Sequence, residues 1–159
     1  MKNKQHSDTI QNMKIYLDVC CLNRPFDDQT QDRVHLEAEA ILSILSHCKT
    51  AGWDLIGSEV IDYEISNMPD EDKRFMVNAL SSLRRSYIKI DADIERRAFG
   101  LEKIGFQPFD ALHAACAEKA GADIFLTTDD SLLRKSTQSK KALKVKVENP
   151  LRWVMEVFK

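Results

Sequence analysis

The sequence predicts an α/β protein: a three-layer α/β/α sandwich around a mostly parallel five-stranded sheet. Two observations predict this class. Short runs of apolar, β-forming residues recur along the chain, and between most of them lie longer segments whose apolar residues repeat every three or four positions. Strands separated by helices are connected as parallel neighbours need to be. With 159 residues, 43% of them apolar and 30% charged, the chain has the size and balance of one globular domain.

Five segments are predicted to be strands. The first is a short, apolar, β-leaning run that closes on Asp18, which is typical of a buried central strand. The last alternates apolar residues with lysines that would face outward, as on the edge of a sheet. The predicted strands are residues 14–18, 53–57, 87–90, 123–127 and 143–147.

Helices are predicted from apolar spacing and from capping residues. Ser58, Asp70 and Asn149 are suitable N-caps, and Pro108 suits a first helical turn. Glycines are placed to end three of the helices, and segment 21–31, which contains Pro25, is predicted to be a loop. The predicted helices are residues 32–49, 59–68, 71–83, 94–104, 108–120, 130–136 and 150–157.

The ends and the cysteines suggest a simple organisation. Residues 1–12 are predicted to be a flexible tail and residues 13–159 a single domain. The chain starts without the apolar segment of a signal peptide, and no run reaches the length of a membrane span, so we expect a cytoplasmic protein with no membrane partner. The four cysteines show no CxxC spacing, and we expect them to be reduced and mostly buried.

Charge is distributed unevenly along the chain. The net charge is −2, but residues 131–159 carry eight Lys or Arg against two Glu, a net +6, which leaves −8 on the first 130 residues. An acidic body with a basic C-terminal segment is compatible with a metal site beside a surface that binds a polyanion. A basic face that is merely solvated fits the same numbers.

Acidic residues stand at the ends of predicted elements. Asp18 ends the first strand and Asp129 follows the fourth, and the carboxyl ends of parallel strands share one rim, where ligands bind. Asp110 begins a helix, although the sequence does not determine whether that helix starts at the same rim. Taken singly, each of these acids is also a common cap or turn residue.

The second predicted helix contributes a fourth acid. Glu64 lies four residues after Val60 and three after Ile61, on the apolar side of the helix. Glu59 and Asp62 share the other side. Because a carboxylate that faces a core is costly unless it is paired or binds a metal, Glu64 is the candidate site residue.

Four converging carboxylates imply a cation, since they repel one another and would partly take up protons without one. Oxygen ligands suit Mg²⁺ or Mn²⁺, which typically retain several waters and bind substrate phosphate. We therefore predict that Asp18, Glu64, Asp110 and Asp129 bind the metal and carry the catalysis.

Neighbouring residues have two interpretations each. His113, one turn beyond Asp110, is a candidate to orient that acid, and equally a core or capping histidine. Thr127 and Thr128 are placed to hydrogen-bond the acidic turn or only the local backbone.

The segments that carry these residues resemble the PIN-domain family, of the kind that includes VapC-type toxin ribonucleases. The matching segments are IYLDVCCLN at 15–23, SEVIDYEI at 58–65 and FDALHAACAEKAGADIFLTTDD at 109–130. The family often has Thr, Ser or Asn just after its first aspartate. This chain has Val19, Cys20 and Cys21 there, with Asn23 as a candidate replacement.

The resemblance implies a parallel sheet of order 3-2-1-4-5 and Mg²⁺- or Mn²⁺-dependent cleavage of RNA. By motif position it implies an acidic site of Asp18, Glu64, Asp110 and Asp129, with Asp130 as the alternative to the last. It also implies an antitoxin protein that covers the site, and a homodimer.

Three functional hypotheses follow. The leading one is a metal-dependent endoribonuclease that is the toxin of a toxin–antitoxin pair. The alternative is a non-catalytic module of the same fold that binds RNA or protein through the basic segment, even under chelation. A phosphotransferase with a strand-end aspartate nucleophile ranks lower, because such enzymes commonly need a second acid two residues on, where this chain has Cys20.

Overall fold

The computed structural model describes residues 12–158, which contain five strands and eight helices. The strands are β1 (Lys14–Leu17), β2 (Asp54–Ser58), β3 (Ser86–Ile88), β4 (Ile124–Leu126) and β5 (Val147–Glu148). The helices are α1 (Val19–Asn23), α2 (Asp32–Thr50), α3 (Glu59–Ser66), α4 (Glu71–Ser81), α5 (Ala92–Lys103), α6 (Pro108–Lys119), α7 (Asp130–Gln138) and α8 (Pro150–Val157). The predicted tail 1–12 lies outside the described residues except for Asn12, and it stays a prediction.

All five strands are parallel, in the order β3-β2-β1-β4-β5. The central strand, β1, pairs with β2 on one side and with β4 on the other, with Tyr16 opposite Ile56 and Phe125. The predicted fold class and strand order are therefore confirmed.

Helices cover both faces of this sheet, and the burial of β1 shows it directly. Consecutive strand residues point to opposite faces. Ile15, Tyr16 and Leu17 are nevertheless all fully buried, so neither face of the central strand is open to water. Among the covering helices, α2 packs against α8 and α5 packs against α6.

The four cysteines are free thiols, as predicted, and three of them are buried in this core. In the part of the chain that the structure describes, no helix is both long and apolar enough to cross a bilayer.

The prediction of a loop over residues 21–31 was wrong at its start. Helix α1 follows β1 directly, and a 3-10 turn at Arg24–Phe26 continues it with Pro25 inside its first turn. Burial explains the difference, because Val19, Cys21 and Leu22 pack into the core and the Asp18 side chain caps the first turn.

The predicted edge strand was displaced along the chain. The structure has β5 at Val147–Glu148 rather than at residues 143–147. Pairing decides its position: the N–H groups of Phe125 and Thr127 donate to the carbonyls of Lys146 (2.9 Å) and Glu148 (3.0 Å). Because β4 begins only at Ile124, residues 143–145 have no strand beside them to pair with.

Candidate active site

Asp18 lies at the carboxyl end of β1, at the centre of the sheet's rim. Its N–H donates to the carbonyl of Leu126 (3.0 Å), which extends the pairing of β1 and β4 by one residue. Its side chain is largely buried. One carboxylate oxygen accepts the N–H of Val19 (2.7 Å) and the other accepts the hydroxyl of Thr127 (3.0 Å), so the protein holds this acid in one orientation.

Thr127 connects Asp18 to the acidic turn, which is one of the two roles considered for it. The Oγ1 atom of Thr127 accepts a hydrogen bond from the N–H of Asp129 (3.1 Å), and its hydroxyl donates one to the carboxylate of Asp18. Cys20 Sγ lies 3.3 Å from the same oxygen and accepts the N–H of Thr128 (3.4 Å). Cys20, rather than Asn23, therefore makes the supporting contacts next to the first acid.

Glu64 faces the same rim from α3, as its helical spacing predicts. Its carboxylate forms a hydrogen bond with Nε2 of His113. The other two acids of α3 point elsewhere: Glu59 accepts the N–H of Ile90 (2.9 Å), and Asp62 forms an ion pair with Arg84 (2.7 Å).

His113 reaches this site from α6, but it contacts Glu64 rather than Asp110. Its Nε2 also lies 3.6 Å from Asp18. Potential ligand atoms of Asp18, Glu64 and His113 all lie within 4.8 Å of one another. Burial by itself lowers the pKa of the His113 imidazole. The hydrogen bond to Glu64 and the negative charge of Asp18 have the larger combined effect, so the pKa of His113 is raised.

Asp110 differs from the other acids of the site because its side chain has no hydrogen-bonding partner among residues 12–158. Residues 12–158 offer its carboxylate neither a hydrogen-bond donor nor an ion-pair partner. Burial and repulsion from Asp18 and Asp129 raise the pKa of Asp110 to about 6. Helix α6 thus begins near the same rim, a direction that the sequence left open.

Two adjacent acids follow β4, and the structure gives them different surroundings. Asp129 caps α7, where one oxygen accepts the N–H groups of Ser131 (2.9 Å) and Leu132 (3.3 Å). Its other oxygen has no hydrogen-bond partner within the described chain. Asp130 instead binds the guanidinium of Arg33 through both oxygens (2.7 and 2.9 Å), which lowers the pKa of Asp130. Asp129 is therefore the freer ligand candidate.

These donors fit a hard divalent cation. Oxygen atoms of carboxylates are what Mg²⁺ and Mn²⁺ prefer. An unpartnered, half-buried carboxylate such as Asp110 beside two other acids is a costly arrangement that a bound cation would relieve.

Sequence reasoning missed two residues behind the site, Tyr16 and Ser58. Tyr16 Oη lies 2.7 Å from Nδ1 of His113 and 2.8 Å from Oγ of Ser58, all of them buried. The available signal was a phenol inside an otherwise apolar strand, since a buried tyrosine hydroxyl usually has a hydrogen-bond partner.

The parallel sheet of this order, with acids from two strand ends and two helices at one rim, defines an α/β protein with a candidate metal site. The family model of the PIN domain matches residues 15–137, and the chain belongs to the PIN-domain family. No curated protein sequence gives a significant match.

Solved structures with this fold include three that each cover most of the chain. FitAcB from Neisseria gonorrhoeae has 17% identity, a TM-score of 0.56 and coverage of 86% of this chain and 97% of its own. VapBC2 from Rickettsia felis, solved with a DNA fragment of its promoter, has 15% identity and a TM-score of 0.53. The match covers 86% of this chain and 98% of its own. VapBC-1 from nontypeable Haemophilus influenzae has 14% identity, a TM-score of 0.53 and coverage of 87% of this chain and 98% of its own.

Proposed function

We propose that this chain is a Mg²⁺- or Mn²⁺-dependent endoribonuclease that cleaves RNA phosphodiester bonds. The observation that carries the proposal is the unpartnered Asp110 beside three further carboxylates at the rim of a PIN-domain sheet. Asp18, Glu64, Asp110 and Asp129 would hold the metal. A divalent ion bound there would activate water and stabilise charge on the phosphoryl oxygens.

The chain's own residues would prepare the site for this reaction. Thr127 and the first turn of α1 hold Asp18 in one orientation, and the cap of α7 holds Asp129. Holding ligands in this way limits the reorganisation that metal and substrate binding would require.

The test compares purified wild type with Asp18→Asn and Asp110→Asn on a mixed pool of structured RNA, with Mn²⁺ and with or without EDTA. We expect cleavage by wild type only without EDTA, and a loss of about 100-fold or more in each variant. Losing a residue that only hydrogen-bonds a metal ligand already typically costs about 10- to 100-fold. Asp62→Asn, on the outer side of α3, is the matched control. Wild-type rates in either site variant would contradict the assignment.

The alternative function is a non-catalytic PIN-like module that binds RNA or protein. It predicts binding that is equal with and without EDTA and no RNA product under any metal condition. The four retained carboxylates favour the nuclease.

We further propose that the chain is a cytoplasmic toxin with a protein antitoxin, and that it forms a homodimer. The structural similarity to FitAcB and to two VapBC proteins supports the antitoxin partner. The homodimer rests on the family resemblance. Sedimentation of the purified chain should then give twice the chain mass of 18.2 kDa. A species of 18.2 kDa at all concentrations would contradict the dimer.

A further inference from the structure

Behind the acids at the carboxyl ends of the strands, a line of hydrogen bonds runs from the start of α3 to Glu64. The N–H of Ile61 donates to Oγ of Ser58 (3.1 Å), which lies 2.8 Å from Oη of Tyr16. That phenol lies 2.7 Å from Nδ1 of His113, whose Nε2 contacts Glu64. Ser58 and Tyr16 are fully buried and His113 is 1% exposed, so bulk solvent does not reach these groups.

The donors and acceptors of this line determine where the imidazole proton lies. An ionised carboxylate only accepts, so Nε2 of His113 carries the proton that faces Glu64. In the neutral ring Nδ1 then accepts the proton of Tyr16, and Tyr16 accepts the proton of Ser58. In this neutral form every polar hydrogen in the line has an acceptor, as buried polar groups require.

A metal-ligating His113 would break this arrangement. A lone pair on Nε2 would require the proton to move to Nδ1, from which it would donate to Tyr16. Tyr16 would then donate to Ser58, and the Ser58 hydroxyl proton would have no acceptor in the described chain. Glu64 would also lose its donor. Leaving a buried hydroxyl unpaired is costly, so the buried line opposes ligation by this histidine.

We propose that His113 is a positioning residue for Glu64 and not itself a metal ligand. It aims the Glu64 carboxylate at the rim by donating Nε2–H, and Tyr16 and Ser58 hold the ring in the form that donates. This inference rests on the proposed metal-dependent function.

The first measurement uses metal-free protein. Nitrogen-15 NMR of the histidine rings, with the His113 signals identified by their loss in His113→Gln, reports which ring nitrogen carries a proton. We expect a protonated Nε2 in wild type. An unprotonated Nε2 would overturn the proposal without any reference to metal or RNA.

The second measurement uses Mn²⁺-loaded protein. Pulsed electron paramagnetic resonance detects a directly coordinated imidazole nitrogen, and we expect none from His113. A nitrogen coupling that disappears in His113→Gln and persists in His35→Gln, a control at an exposed histidine of α2, would make His113 a ligand and overturn the proposal.

Two variants separate positioning from packing through Mn²⁺ affinity. The longer amide of His113→Gln is able to donate to Glu64, whereas His113→Asn keeps an acceptor for Tyr16 but is too short to reach the acid. We expect Mn²⁺ affinity within about 3-fold of wild type for Gln. For Asn we expect a loss of about 10-fold or more, as is typical when a residue that hydrogen-bonds a metal ligand is removed. Equal affinities in the two variants, whether both retained or both lost, would overturn the proposal.

The outcomes also separate this inference from the proposed function. Absence of Mn²⁺ binding by wild type would contradict both the positioning role of His113 and the proposed ribonuclease function. Binding through a His113 nitrogen would end only the positioning role. Binding with the expected Gln and Asn difference, but without any RNA cleavage, would retain the positioning role and reject the ribonuclease.

Discussion

Asp110 carries its charge in unfavourable surroundings. Burial and the charges of Asp18 and Asp129 raise its pKa to about 6, above the ordinary value of 3.8. Because the folded state then binds more protons than the unfolded state between these two values, this carboxyl weakens the fold as pH rises from about 4 to about 6. Above pH 6 the penalty is complete.

Asp110→Asn should therefore stabilise the metal-free protein. We expect a gain of about 1–2 kcal/mol at pH 7.5, discounted for partial solvent exposure, and almost none at pH 4. Urea unfolding in EDTA at the two pH values measures it. With Mn²⁺ present wild type should be the more stable protein, because metal binding stabilises its folded state and the variant has lost a ligand. A variant less stable than wild type at pH 7.5 in EDTA would refute the electrostatic account.

The adjacent acids Asp129 and Asp130 are expected to behave differently. Asp129→Asn keeps a good N-cap for α7 but loses a ligand charge, so its Mn²⁺ affinity should fall about 10-fold or more with little change in stability. Asp130→Asn loses only the exposed pair with Arg33, and both affinity and stability should stay near wild type. Calorimetric Mn²⁺ titration compares them, and the opposite pattern would make Asp130 the fourth acid.

At the scale of the elements, one buried acid joins three segments near the rim. Glu37 of α2 is 1% exposed and accepts from Arg24 of the 3-10 turn at 2.9 and 3.0 Å. It also accepts from Asn149, the N-cap of α8, at 2.5 Å, and from Arg33 at 3.4 Å. Arg24 also forms an ion pair with Asp27, which in turn pairs with Lys73, so the loop after the 3-10 turn is held to the fold.

Glu37→Gln should destabilise the protein by about 3 kcal/mol, because removing one partner of a buried ion pair leaves the other charge uncompensated. Glu39→Gln, an exposed position on the same helix, is the matched control and should change stability by less than about 0.5 kcal/mol. Urea unfolding at pH 7.5 measures both. A loss below about 1 kcal/mol in Glu37→Gln would show that this cluster does not hold the three segments together.

At the scale of the whole molecule, the basic C-terminal segment meets the acidic rim at a groove. Its volume is about 700 Å³, and its lining includes Arg134 and Arg152 together with Asp130. Both arginines are exposed, whereas Arg33 in the same groove is already bound to Asp130. Under the proposed ribonuclease function, Arg134 and Arg152 would be the residues of this groove that contact an RNA backbone.

The double variant Arg134→Ala/Arg152→Ala should weaken RNA binding and reduce its dependence on salt. Each lost phosphate contact lowers the slope of log affinity against log salt by about 0.7 for a single strand, so the pair should lower it by about 1.4. Binding of an RNA pool in EDTA at several salt concentrations measures this. Lys14→Ala/Lys49→Ala, at the start of β1 and the end of α2, away from the carboxyl ends of the strands, is the matched control. An equal effect in the two double variants would refute a role for the groove.

Local patterns predicted most of the fold and the inward direction of Glu64, but few of the contacts within the site. The apolar run before Asp18 predicted a central strand, and helical spacing placed Glu64 inward, because both signals depend only on neighbours in the chain. The position of β5 did not follow, since pairing with the short β4 determines it. The helix at 19–23 was also missed, because its burial depends on distant partners.

Capping residues and apolar periodicity, which are local properties of the chain, predicted the five strands, seven of the eight helices in residues 12–158 and the acids at the ends of these elements. Folding in three dimensions decides that Asp130 rather than Asp129 binds Arg33, and that Asp110 has no partner among residues 12–158. It also brings His113 to Glu64 across 49 positions of the chain. The physical reason is that hydrogen-bond partners and electrostatic surroundings are set by residues far apart in sequence. The candidate metal site comes into being only when the parallel sheet brings its strand ends together.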